Sequence, residues 1–219
     1  MVSVWRDTVK HSLTMEAIVV TYGNASSQEL TDRIAEEIEH LWNEPGATVL
    51  IRQVPHTVSF RVEGRWLPGI LPETVVANTD PRMNFYRIEE YAYGNISFVD
   101  GIGSNSGYFK LENLYAGSTT AAHEFGHGIG LDHPAKIDIR GLGQPGIMYP
   151  RGTWVDPPFQ YDPTAQPGAP GGTMHPMHRR VVAEDIRNLR LDRLRFLRDW
   201  AVLGAFSNVF HPDHASLPL

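Results

Sequence analysis

Apolar residues along this chain recur in two rhythms, and the changes of rhythm mark out the elements. Residues 16–22 run through Ala17, Ile18, Val19 and Val20 with almost no polar interruption, the pattern of a strand buried on both faces, and Gly23-Asn24 closes it. Ser26 to Glu29 reads as a capping box, after which Leu30, Ile34, Ile38 and Leu41 recur at helical spacing until Pro45-Gly46. Residues 47–54 return to strand character. Strand, helix and strand in this order predict a right-handed crossover joining a parallel pair.

Prolines 55, 68, 72 and 81 break up the next forty positions. Residues 57–62 alternate as a strand does, and 74–77 reads as a further short one. Residues 95–100 make a better strand, followed by a loop rich in glycine and serine at 101–107 and a short strand at 108–111. A helix capped by Ser118 or Thr119 is expected to reach about Ile129. Proline and glycine then crowd residues 134–180, which predicts a long irregular segment, and a loop of that length in a compact domain is usually functional or mobile.

The chemistry concentrates in the run from His123 to His133, where His123, Glu124, His127, Gly130 and His133 spell H-E-x-x-H-x-x-G-x-x-H. On a helix, His123 and His127 are one turn apart and share a face, so both can reach one zinc ion about 2.0–2.1 Å away. Glu124 sits roughly 100° around from His123, beside that face, placed for the metal's water and not for the metal. If the helix continued, His133 would point away from the ion, roughly 240° around from His127. The helix must therefore stop, and Gly130, with Pro134 after the third histidine, supplies the stop. Three histidine ligands leave a fourth position open, which is the arrangement of a catalytic zinc.

With this motif the chain resembles the metzincins, zinc endopeptidases that follow the long motif with a methionine-bearing turn. Gly146-Ile147-Met148-Tyr149-Pro150 is similar to that turn, and the resemblance implies that Met148 forms an apolar floor under the histidines. Met148-Tyr149-Pro150 and residues 181–186 resemble the matrixins, the latter as the start of their C-terminal helix, whereas His133-Pro134 resembles the serralysins. Pro150 stands where serralysins and astacins carry an assisting tyrosine, so no such role passes to Tyr149. The resemblance implies an α+β zincin-like catalytic domain spanning 1–219. Its upper lobe, residues 1–133, would hold a twisted, mostly parallel sheet with two helices. Its lower lobe, residues 134–219, would be irregular, carrying the methionine turn and ending in a C-terminal helix. It also implies that 95–100 or 108–111 forms the cleft rim, and that Trp154, Phe159 and Tyr161 shape a pocket or merely anchor their loop.

Composition narrows the partners. A formal charge of −6 argues against nucleic acid, and Arg187, Arg190, Arg193, Arg195 and Arg198 alternate with Asp192 and Asp199 as on a solvated helix face. No stretch approaches the roughly twenty apolar residues of a membrane span. Cysteine is absent, so no thiol latency switch is available, and the first twenty residues lack the apolar core of a secretory signal. Export is expected, with a signal removed or by another route. Asp7 could cap the metal in a zymogen, though a solvated charge is the plainer reading. Asp100, Ser104 and Asn105 offer oxygens for calcium without a regular calcium-loop spacing, and a turn explains them as well. His175 and His178 could take a second metal or be surface residues.

These features predict a monomeric zinc endopeptidase acting on protein or peptide, with His123, His127 and His133 as ligands and Glu124 as general base. Two alternatives stand beside it: a narrowly targeted secreted effector protease with a proteinaceous inhibitor, and a zinc-binding interaction protein without peptidase activity.

Overall fold

The computed structural model describes residues 1–216. Eight strands form one mixed sheet: β1 (Val2–Asp7), β2 (Ser12–Tyr22), β3 (Thr48–Ile51), β4 (Val54–Trp66), β5 (Met83–Glu89), β6 (Phe98–Val99), β7 (Ser106–Lys110) and β8 (Trp200–Leu203). The order β3-β4-β2-β5-β7-β6 places four mutually parallel strands, β4, β2, β5 and β7, at the centre. Antiparallel β3 and β6 flank them, while β1 pairs antiparallel with both β2 and β8. β2 buries Ala17 and Val19 in one apolar cluster and Ile18, Val20 and Tyr22 in another, so both its faces are covered and its sequence is a continuous apolar run.

The crossover from β2 departs from expectation in one respect. Residues 47–54 do not lie beside β2; β3 turns back through Arg52 and Gln53 (φ 50° and 67°) and pairs antiparallel with β4. Two consecutive left-handed residues make the tight hairpin whose twist matches its strands. The long strand β4 then takes the parallel place next to β2, from Ser12↔Thr57 to Thr21↔Trp66. Helix α1 (Gln28–Asn43) makes the connection, burying Leu30, Ile34, Ile38, Leu41 and Trp42. Its cap is Ser27, one residue later than the capping box suggested: Ser27 Oγ accepts from Leu30 N at 3.1 Å, while Ser26 Oγ donates to Gly23 O.

Two further expectations are corrected. Residues 74–77 are not a strand: Thr74 to Val76 lie in the short helix α2 (Pro72–Val76), Ala77 caps it, and proline opens it from the first position, where a missing N–H costs nothing. The C-terminal helix expected to start at 181–186 is only α4 (Ala183–Asn188), and Arg190 leaves it in a left-handed conformation (φ 51°). Beyond it Arg190 pairs with Asp192, and Trp200–Leu203 bonds instead to the open edge of β1. The last strand of the described residues therefore closes the sheet beside β1. β5, which the sequence left unassigned, is a central strand between β2 and β7.

Past β8 the tail is fastened to the loop before β7. Asn105 Oδ1 accepts from Ser207 N and Asn208 N, both at 2.9 Å, Ser104 Oγ meets Ser207 Oγ at 2.5 Å, and Asp100 takes hydrogen bonds from Ser106 Oγ and His211 Nε2. The oxygens considered for calcium are engaged by protein partners, and calcium has no support. Asp7 accepts from the amides of Val9 and Lys10 in the β1–β2 turn, a turn role and not a cap on a metal.

Residues 134–180 are irregular, as expected, around a small apolar centre of Ile139, Val155 and Met174 against which Tyr149 and Phe159 pack. Trp154 lies under Arg140 and Tyr161 is tilted against His175, contacts made within the same segment. Among the described residues no helix is long and apolar enough to cross a membrane.

Candidate metal centre and its cleft

Helix α3 (Thr120–Gly128) lies in the core beside α1, with every residue buried. Its end is set by two hydrogen bonds: Gly130 N donates to His127 O, and Leu131 N donates to Gly126 O, each at 3.0 Å. This paired closure needs a left-handed residue at Gly130, whose φ is 107°. The chain turns off the helix axis there and brings His133 back, as the spacing predicted.

The three imidazoles converge. His133 Nε2 lies 3.1 Å from His123 Nε2 and 3.1 Å from His127 Nε2. His123 Nδ1 is 2.7 Å from Ile147 O, and His127 Nδ1 is 2.7 Å from Leu131 O. A carbonyl oxygen can only accept, so both Nδ1 atoms carry the proton and both Nε2 atoms present bare lone pairs. Lone pairs aimed at one point repel unless a cation sits among them. Tetrahedral zinc ligands at 2.0–2.1 Å are about 3.3–3.4 Å apart, close to the separations here. Burial holds all three pKa values below the usual histidine value, most strongly for His123, which keeps the rings neutral and fit for a metal. Among the described residues this trio is the one group of His, Asp and Glu with converging ligand atoms. The residues fit zinc.

The turn at residues 146–150 meets one ligand ring and the helix that carries it. Ile147 supplies the carbonyl that fixes His123, and Met148, 3% exposed, lies directly under the helix. A Cβ on Gly126 would overlap Met148 Sδ, so the glycine inside the motif is there for close approach. Met148 packs against the helix that carries His123 and His127.

Glu124 is 7% exposed and borders both cavities that flank the histidines. One, of about 310 Å³, is lined by Ser97, Phe98, Val99 and Ile102 with His127 and His133. The other, of about 260 Å³, is lined by Thr120, Pro150, Arg151 and Arg179 with His123 and His133. Burial pushes the Glu124 carboxyl up to about 8, opposed by the nearby Arg179 charge and the Val99 amide. A dication alongside would favour its ionised form. Of the two candidate rim segments, 95–100 borders the cleft, and its strand β6 is the last of the sheet.

His175 and His178 do not join a ligand set: their ring centres are 5.9 Å apart, and His175 Nδ1 accepts from Met177 N. Residues that sequence reasoning passed over also reach the cleft. Arg179 is 2% exposed, donating through Nε to Thr119 Oγ1 at 3.0 Å and through Nη1 to Tyr149 O at 3.2 Å. Arg151 donates to Asn113 Oδ1 at 2.8 Å. No spacing marks these residues; only the fold brings them to the histidines.

No protein-family model matches the chain, and no curated protein does. Among solved structures it is similar to an archaemetzincin from Methanopyrus kandleri, with 11% identity and a TM-score of 0.40 over 81% of this chain and 95% of that one. It is also similar to myroilysin, with 11% identity and a TM-score of 0.30 over 59% of this chain and 54% of that one. Neither likeness is close enough to assign a function.

Proposed function

We propose that this protein is a zinc-dependent, metzincin-like endopeptidase. The observation that carries the reading is the convergence of three Nε2 atoms, two of them stripped of protons by carbonyl oxygens behind the rings, beside a carboxyl that borders the same cleft. His123, His127 and His133 would hold the ion. Bound zinc supplies Lewis acidity, polarising a carbonyl oxygen and making water acidic near neutral pH.

The remaining work falls to the chain itself. Glu124 takes the proton of the attacking water and passes it to the departing amine, a task for which a neighbouring dication would keep the buried carboxyl ionised. The backbone of residues 97–99, on the terminal strand of the sheet, can pair with an extended substrate and hold it across the histidines. Ile147 O and Leu131 O keep the two helical imidazoles in register throughout. The buried carboxyl in the cleft favours catalysis over mere zinc binding.

The experiment is digestion of a proteome-derived peptide library by the zinc-loaded protein, with and without chelator, beside Glu124→Gln. Cleavage that needs the metal and falls by about two to four orders of magnitude in the variant supports the reading. Equal cleavage by Glu124→Gln overturns it.

A further inference from the structure

Of the two cavities beside the histidines, the one under Pro150 holds chemistry that peptide-bond hydrolysis does not call for. Arg179 is 2% exposed and borders it. Its Nε and Nη1 are engaged by Thr119 Oγ1 and Tyr149 O, both neutral acceptors, and among the described residues no carboxylate pairs with it. Burial lowers its pKa to about 10, which still leaves it charged at neutral pH. Glu124 and Glu37 feel its charge, but neither reaches it as an ion pair, and a buried guanidinium without a contacting anion is costly. A clasp between Thr119 and Tyr149 alone would be served by a neutral donor.

A second observation comes from another element. Thr120, 4% exposed, begins α3 and lines the same cavity, and its Oγ1 is buried without any hydrogen-bond partner. Arg151, on the cavity's outer side, adds a further positive charge. The N-terminus of α3 contributes to the same sign of potential. About 260 Å³ is room for several waters at about 30 Å³ each, and so for a short acidic side chain.

We infer that this cavity is a carboxylate-binding subsite of the cleft, in which Arg179 supplies the charge and Thr120 Oγ1 a second donor. The inference rests on the peptidase reading for its substrate: a polypeptide carrying a carboxylate next to the scissile bond, either an Asp or Glu side chain or the chain's own C-terminus. Arg179 and Thr120 are then specificity-determining residues, distinct from the ligands and from Glu124.

The test digests two peptide libraries, one with free and one with amidated C-termini, using zinc-loaded wild type, Arg179→Gln, Arg179→Lys and Thr120→Val. The wild type should prefer an acid over its amide beside the bond by about ten- to a hundredfold, the discrimination of one charge-assisted hydrogen bond. A preference that survives amidation identifies the side chain; one that vanishes identifies the terminus. Arg179→Lys should retain part of it, Thr120→Val should weaken it, and Arg179→Gln, which keeps a donor for Tyr149 O, should abolish it. Cleavage without acid preference, or a preference unchanged in a folded Arg179→Gln, overturns the inference while leaving the peptidase reading intact. If wild type cleaves nothing, that reading fails instead, and calorimetry of zinc-loaded Glu124→Gln with N-acetyl-aspartate amide and N-acetyl-asparagine amide decides the subsite. Tighter binding of the acid that Arg179→Gln removes supports it; equal binding, or a difference that persists in Arg179→Gln, overturns it.

Discussion

Gly126→Ala sets two opposed effects against each other at the centre of the site. Inside a helix, alanine is favoured over glycine by about 0.8–1.0 kcal/mol. Here the added Cβ would overlap Met148 Sδ, with Trp42 Cζ2 at 3.1 Å and Met148 Cε at 3.2 Å. Overpacking of a dense interior costs about 1–3 kcal/mol, so the variant should be less stable by about 1 kcal/mol net. Met148 must shift, and with it the neighbouring Ile147 carbonyl that orients His123, so zinc affinity should fall as well. The sharper measurement is a double-mutant cycle. Met148→Ala alone should cost about 2–5 kcal/mol by leaving a cavity. In that background Gly126→Ala should become neutral or stabilising, because the sulphur it collides with is gone, giving a coupling of at least about 1 kcal/mol. Urea melts provide the values, run separately in chelator and in fixed excess zinc, since a ligand that binds only the native state adds its own stabilisation. Effects that add within about 0.5 kcal/mol would refute the claim that Met148 is lodged against the helix.

Other expected outcomes follow from the same geometry. Glu124→Gln should retain zinc, measured by metal analysis of the dialysed protein, since none of the ligands is touched. His127→Ala should lose it, and its melting temperature should then no longer respond to added zinc, whereas that of the wild type should rise. Glu37 on α1 has its pKa raised from 4.5 to about 7, chiefly by burial. The folded state therefore binds more protons than the unfolded between those values, and Glu37 lowers stability as pH rises through that window, by about 1–3 kcal/mol in total. Glu37→Gln should reduce the difference between urea melts at pH 5 and pH 7.5 by that amount; an unchanged difference would show that the carboxyl is not desolvated.

What the sequence revealed and what it hid divides along the range of the interactions. The three histidines and Glu124 lie within eleven residues, and their arrangement follows from one helical turn and one glycine stop, both local. β2 and α1 were legible for the same reason, since a doubly covered strand and an amphipathic helix carry their own periodicity. β5 escaped because Asn84, Arg87 and Glu89 interrupt its apolar run, and beyond the local Arg87–Glu89 pair they are answered by distant partners: the Met1 amino group for Asn84, His211 O for Arg87, the Asn24 amide for Glu89. The arginine-rich stretch after Asn188 was taken for helix because its alternating charges suit a helix surface, whereas the unpaired edge of β1 decides its outcome. Arg179 could not be found at all from sequence: it meets Thr119 across sixty positions, and nothing in its own neighbourhood sets it apart.

β8 has a temporal implication. The outer side of β1 is covered by residues 200–203, so this strand, once made, must wait for one made nearly two hundred residues later. At about 5–20 residues per second that interval is on the order of 10–40 s. Throughout it, nascent chains expose a bare row of peptide groups on which neighbouring copies can nucleate misassembly, so slowed translation should lower the soluble yield of this protein more than that of a fold whose borders close in order.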